Sequence, residues 1–198
     1  MASGVSPGED GRKRCPWALG TPEILDYHDR QWGRPLRDDT ELFEMLTLEA
    51  FQSGLSWLTI LRKRDAFRAA FDGFEIEKVA GYGARETKRL MADAAIVRNR
   101  AKIAATITNA RAIRELQAGG ETLTDVIWEF APNHVDRPVP KKLSDLEPTT
   151  AESKAMAKEL KRRGFAFVGP TTAYSLMEAA GLVNDHLAGC EFRDLPAS

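Results

Sequence analysis

Apolar side chains recur at helical spacing along most of the chain. Within 40–52, Leu42, Phe43, Leu46 and Ala50 fall on one face, and Asp38 and Asp39 stand before them as N-terminal caps that favour the positive end of a helix dipole. Ser56 caps a second run in which Trp57, Ile60, Leu61, Phe67, Ala70 and Phe71 keep the i, i+3, i+4 pattern. Ile103, Ile107, Ala110 and Ile113 share a face of a helix over 99–117, which Gly119-Gly120 ends. Thr149 and Glu152 have the spacing of a capping box before 151–163. Pro170 suits the first turn of the next helix and Gly181 its end. Strand-like alternation is nearly absent, so the pattern predicts an all-α protein of about eight to ten short helices.

One stretch breaks the rhythm. PNHVDRPVPKKLSDLEP at 132–148 holds four prolines and is too polar for a helix interior. It reads as an extended loop joining two helical halves with a cleft between them. Residues 1–13, MASGVSPGEDGRK, have no apolar core and read as a flexible tail, not a signal peptide. The expected organisation is that tail, one helical domain over 14–191, and a short C-terminal tail over 192–198. With 198 residues the chain suits one domain, since a domain takes roughly 100–200. Apolar residues at 43% and charged residues at 29% exclude a collagen, a disordered acidic chain and a disulfide-stapled miniprotein. No apolar run approaches the ~20 residues that a bilayer requires. The expectation is a cytoplasmic monomer with no membrane partner, in which a structural disulfide is disfavoured.

The soft ligands are few: Cys15, Cys190, His28, His134 and His186. His186 and Cys190 stand four apart, and on a helix that spacing puts imidazole and thiolate on one face. Cys15 and His28 lie near the other end of the chain. Together they supply a Cys2His2 set, which suits tetrahedral zinc at metal–ligand distances of roughly 2.0–2.3 Å. Such a site is closed, hence structural, and would clasp the two chain ends. The spacing alone is weak, and two unrelated buried thiols with surface histidines remain the other reading. His134, in the proline-rich loop, is expected at the surface.

Trp17, Tyr27, Trp32 and Trp57 crowd into the first third of the chain. Large aromatics usually fill a core, but Tyr27 and Trp32 sit in DYHDRQWGRP, a polar context typical of pocket-lining loops. Glu49 follows Leu42 and Leu46 along the inward side of its helix. An inward carboxylate must be paired or accept hydrogen bonds, whereas a rim glutamate needs neither. Aromatic faces plus an inward carboxylate would suit a flat, cationic, hydrogen-bond-donating ring.

Residues 155–177 read as helix, basic run, tight turn and helix. Lys161-Arg162-Arg163 precede Gly164-Phe165-Ala166-Phe167-Val168-Gly169, and Pro170-Thr171-Thr172 open the next helix. Free amides at such a helix start suit a phosphate, and a plain αα-hairpin is the alternative. The net charge is only −1, yet residues 85–114 carry eight basic and two acidic side chains. A near-neutral total can therefore hide a basic face.

These segments together resemble the 3-methyladenine DNA glycosylase I family of the helix-hairpin-helix DNA glycosylases. The resemblance runs over about residues 14–190 through RCPW (14–17), YHDRQWGRP (27–35), LFEMLTLEAFQSGLSWLTILRKR (42–64), RGFAFVGPTTAYS (164–175) and GLVNDHLAGC (181–190). It implies an all-α glycosylase fold with structural zinc on Cys15, His28, His186 and Cys190. It implies a base pocket of Glu49 with Tyr27, Trp57, Trp17 and Trp32. It also implies DNA contacts by Gly164, Phe165, Val168, Gly169, Thr171 and Thr172, and a wedge, Leu55, near the gap left by a flipped base. The implied activity is hydrolysis of the N-glycosidic bond of 3-methyladenine in alkylated double-stranded DNA, releasing the free base and leaving an abasic site.

Two departures bear on mechanism. Many helix-hairpin-helix glycosylases carry a catalytic aspartate where this chain has Asn184, and no lysine stands in the hairpin to act as a Schiff-base nucleophile. Ala166 also stands where the family often has lysine. A monofunctional glycosylase is therefore expected. The other readings are a zinc-stabilised helical module that binds DNA without chemistry, and a zinc hydrolase, which needs an open coordination position.

Overall fold

The computed structural model describes residues 4–133 and 137–194. His134 lies outside them. Among the described residues there are nine α-helices and one two-stranded sheet. The strands are β1 (Ser6–Pro7) and β2 (Lys13–Arg14). The helices are α1 (Pro22–Arg30), α2 (Asp39–Gln52), α3 (Trp57–Ala70), α4 (Ile76–Ala80), α5 (Ala84–Ala92), α6 (Arg100–Ala118), α7 (Leu123–Trp128), α8 (Ala151–Arg162) and α9 (Pro170–Ala179). None is long and apolar enough to cross a membrane.

Helix α2 is the centre of the fold. All ten residues from Leu42 to Phe51 are buried, not one face alone, because α3, α6, α7 and α9 surround the helix. Burial on every side makes a polar residue there costly unless it finds a partner inside. Glu44 does so through Arg64 at 2.5 Å and Arg68 at 2.9 Å. The core beside it is aromatic: Phe51 meets Phe67 edge-on at 4.7 Å, and Phe71 stacks on Phe74 at 5.5 Å. On α6 the expected Ile103, Ile107, Ala110 and Ile113 are buried, together with the polar Lys102, Thr106 and Asn109.

The caps divide. Asp38 accepts from Thr40 N and Glu41 N, and Ser56 accepts from Thr59 N, as the sequence predicts. Asp39 instead reaches across the molecule, accepting from Leu123 N at 3.1 Å and Thr124 N at 2.9 Å at the start of α7. Helix α8 is capped by Thr150 with Ser153, not Thr149 with Glu152, because a helix that begins at Ala151 has Thr150 as its N-cap and Ser153 at the third helical position.

The described parts of both expected tails, 4–13 and 192–194, take part in the fold. Ser6 and Pro7 pair antiparallel with Arg14 and Lys13. Glu191 N donates to the Lys13 carbonyl at 3.0 Å, Lys13 N donates to the Glu191 carboxylate at 2.9 Å, and the Arg12 guanidinium lies 4.0 Å from the ring centre of buried Phe192. The apolar ring of Phe192 and the facing backbone edges supply the reason: each end covers what the other would expose.

Candidate active site and metal centre

Cys15, His28, His186 and Cys190 converge, and their ligand atoms all lie within 4.8 Å of one another. All four are buried. His28 Nε2 is 3.6 Å from Cys190 Sγ and 3.2 Å from His186 Nδ1, and Cys190 Sγ is 3.5 Å from His186 Nδ1. The outer ring nitrogens are also held: His28 Nδ1 donates to Asp29 Oδ1 at 2.8 Å, and His186 Nε2 to the Trp32 carbonyl at 3.1 Å. Those bonds fix each tautomer, so Nε2 of His28 and Nδ1 of His186 are the free donors toward an ion. Arg14 clamps Asp29 in turn, with a 2.8 Å ion pair. Hydrogen bonding, first from Cys15 and then from His186 and His28, holds the Cys190 thiol far below its ordinary range. The same pairing pushes Cys15 up.

The expected helical placement of His186 and Cys190 does not hold. Helix α9 ends at Ala179, and 182–190 is irregular. Gly181 turns the chain there with φ +72°, packed so closely on Arg34 that a Cβ would sit 2.5 Å from its carbonyl carbon. The segment then folds back, Leu187 N donates to Cys15 Sγ at 3.3 Å, and Arg193 donates to the His186 carbonyl. Asn184, at the place of the usual catalytic aspartate, belongs to this scaffold, donating to Arg193 O at 2.9 Å.

Beside the cluster lies a cavity of about 280 Å³ lined by Trp17, Tyr27, Trp32, Glu49 and Trp57, the five residues singled out in the sequence. It also meets Gln52, Leu146, Ser175 and Glu178, which the sequence reading missed. Ser175 and Glu178 are three apart on α9, a same-face spacing that was the available signal. Tyr27 and Trp57 face each other at 5.2 Å, and Trp17 meets Trp32 edge-on at 4.8 Å.

Glu49 is only 6% exposed, and its Oε2 has no hydrogen-bond partner. The buried Trp57 Nε1 also lacks one. The paired state expected for an inward carboxylate is thus unmet, and burial pushes the Glu49 carboxyl up to about 8. Glu178 is also pushed well up, by burial first and by neighbouring Asp185 and Glu49. Asp185 itself is engaged, with Arg137 and the Tyr174 hydroxyl each at 2.5 Å. A larger cavity of about 680 Å³ lies against the proline-rich loop. The smaller one holds the unpartnered carboxylate and indole, the groups a flat polar ring could satisfy.

The surface elements are mixed. Leu55 is 41% exposed at the turn between α2 and α3. In the 164–169 hairpin, Gly164 takes φ +90°, Thr171 is exposed and no side chain caps α9. Phe165 and Val168 are buried, so their side chains belong to the core and only their backbone is available to a ligand. Phe167 is the exposed aromatic, 45% accessible at φ +57°, and the sequence reading passed over it. The basic run is tempered: Arg163 pairs with Glu121 and Glu159, and Arg162 with Glu159. Within 85–114, Arg89, Lys102 and Arg111 donate to backbone carbonyls, whereas Lys88, Arg98, Arg100 and Arg114 are exposed.

Known proteins resemble this chain in sequence and in fold. The family described as Methyladenine glycosylase matches residues 17–194. The DNA-3-methyladenine glycosylase 1 of Escherichia coli (strain K12) is 45% identical over 178 residues, covering 90% of this chain and 95% of the relative. The DNA-3-methyladenine glycosylase of Haemophilus influenzae is 43% identical over 180 residues, covering 89% and 96%. A solved structure of a variant of 3-methyladenine DNA glycosylase I in complex with 3-methyladenine superposes with a TM-score of 0.85 at 36% identity, covering 92% of this chain and 98% of that one. The chain belongs to the methyladenine glycosylase family.

Proposed function

We propose that the protein excises 3-methyladenine from alkylated double-stranded DNA and hydrolyses its N-glycosidic bond. The observation that carries this reading is the buried, unpartnered carboxylate oxygen of Glu49 inside a cavity walled by Tyr27, Trp17, Trp32 and Trp57. Methylation at N3 makes the base in DNA a cation. Flipping it costs a few kcal/mol, less for a damaged base, and stacking on aromatics returns roughly 1–3 kcal/mol. Glu49 accepts hydrogen bonds from the exocyclic amino edge. An arriving cation draws the carboxyl into its ionised form, whereas neutral adenine meets a carboxylic acid and gains no charge pairing. Water then adds to the sugar carbon, the bond from that carbon to the base nitrogen breaks, and its electron pair neutralises the base. The water proton goes to solvent, and an abasic site and free 3-methyladenine remain.

The donor set of two thiolates and two imidazoles with oriented outer nitrogens fits a tetrahedral zinc ion. Cys15, His28, His186 and Cys190 would hold it with no open position, so it serves the fold and not the reaction. The 164–169 hairpin, through its backbone and with Gly169, Thr171 and Thr172 at the start of α9, binds DNA phosphates as in helix-hairpin-helix proteins. Leu55 fills the gap left by the flipped base. No lysine stands in the hairpin, so hydrolysis proceeds without strand cleavage. Two buried cysteines without a disulfide suit a cytoplasmic enzyme.

The test is release of free 3-methyladenine from alkylated duplex DNA by purified protein, with zinc content measured on the same sample. Duplex binding without base release would favour a non-catalytic DNA-binding module.

A further inference from the structure

Three polar side chains are buried on one face of α6, outside the pocket and the metal cluster; Thr106 bonds back to the Lys102 carbonyl of its own helix, and the other two reach other elements. Lys102 is 7% exposed, and its ammonium donates to Phe51 O at 2.9 Å and Ser53 O at 2.6 Å. Asn109 is 1% exposed; its Oδ1 accepts from Ala166 N at 2.7 Å and its Nδ2 donates to Ala166 O at 3.2 Å. Seven residues span almost two helical turns, so the two side chains leave the same face roughly 10 Å apart along the axis.

Each holds a different surface element. Lys102 satisfies the last carbonyls of α2, where a cation is favoured, and so fixes the turn that presents Leu55. Gly54 in that turn takes φ +82°, and the Leu55 amide donates back to Gln52 O at 2.6 Å. Asn109 grips both polar groups of Ala166 in the centre of the hairpin, one residue before the left-handed Phe167. A buried lysine and a buried asparagine are costly unless fully bonded, and apolar residues at both sites would extend the stripe already on α6.

We infer that Lys102 and Asn109 are positioning residues through which α6 sets the Leu55 turn and the 164–169 hairpin at a fixed separation on the DNA-facing side. This rests on the DNA-excision reading above. The separation matters because a wedge in the base stack and a clamp on the phosphates act together only in one register.

The test is a set of double-mutant cycles on the full chain, read as kcat/KM on alkylated duplex beside affinity for free 3-methyladenine. Lys102→Met and Leu55→Ala should each lower kcat/KM on duplex about tenfold, with KM rising, while free-base affinity stays within about twofold. Combined, they should do no more than either alone, because Lys102 acts through Leu55. Asn109→Leu should lower duplex kcat/KM similarly, weaken its salt dependence, and combine with Leu55→Ala to less than the sum of the two losses, because clamp and wedge act together. Additive losses for Lys102→Met with Leu55→Ala would overturn the assignment. So would a matching fall in free-base affinity, which would mean that α2 and Glu49 had moved. If Lys102→Met does not fold, Lys102→Gln, which keeps one amide donor, carries the same cycle. If the wild type releases no base from duplex, the function reading fails by itself, and the cycle is read in duplex binding instead.

Discussion

His28 donates its Nδ1 hydrogen to Asp29 at 2.8 Å, and this bond turns Nε2 toward the thiol of Cys190. Neighbours in sequence thus divide the work of one centre, the histidine facing the ligand position and the aspartate fixing its tautomer. Asp29→Ala should lower zinc affinity roughly 10–100-fold, the usual cost of losing an outer-shell partner. Competition with a graded chelator measures it. Excision at saturating zinc should stay near wild type, because Asp29 does not line the base cavity.

Cys190→Ser removes a ligand and not its support. Purified protein should lose stoichiometric zinc and melt on the order of 10 °C lower, with activity falling in step with the folded fraction. Chelation of the wild type should reproduce the loss. Full zinc content in Cys190→Ser would remove the four-ligand assignment.

Glu49→Gln keeps the shape of the pocket and removes its charge. Excision should fall by about tenfold to a hundredfold, matching a charge-assisted hydrogen bond of roughly 1.5–3 kcal/mol. In the wild type, kcat/KM should climb with pH toward about 8, where the buried carboxyl ionises, and the substitution should flatten that limb. Stability runs the other way. The folded-state value is raised from 4.5 to about 8, so the unfolded chain releases this proton first and the fold weakens as pH rises across that window. Above it the wild type has lost on the order of a few kcal/mol, which Glu49→Gln should recover. Denaturant titrations at pH 5 and pH 9 would show it, and a wild-type pH profile identical to that of Glu49→Gln would refute the pocket assignment.

Gly181→Ala tests the junction between α9 and the ligand-bearing segment. At φ +72° a side chain is strained, and the added Cβ would lie 2.5 Å from the Arg34 carbonyl carbon and 2.7 Å from the Pro35 nitrogen. Both neighbours are backbone and cannot swing aside. A loss of at least about 2 kcal/mol in equilibrium unfolding is expected, with weaker zinc retention.

Much of this was open to a reader of the sequence. The helical period placed the long helices, because 3.6-residue spacing is a local property. Counting the few cysteines and histidines raised the four-ligand set as one of two readings, polar context marked Tyr27 and Trp32, helical period placed Glu49 inward, and the family resemblance implied both full sets. What escaped depends on partners distant in sequence. Burial of α2 on every side, Asp39 capping a helix 84 residues away, and the packing of Arg12 and Lys13 on Glu191 and Phe192 have no local signature. Glu178 and Ser175 share a face of α9, but that this face meets the cavity follows from the packing of α9 on α2, which spacing within α9 does not reveal. Lys102 counts among the basic residues of 85–114 and nothing local marks Asn109; their burial comes from the α2–α3 turn and the hairpin, which close over them. The irregular 182–190 segment mimicked helical i, i+4 spacing. The sequence by itself determined which side chains could do chemistry; only the tertiary structure decided which were buried, oriented and left unpartnered, because desolvation and hydrogen-bond satisfaction are set by neighbours that the linear order keeps apart.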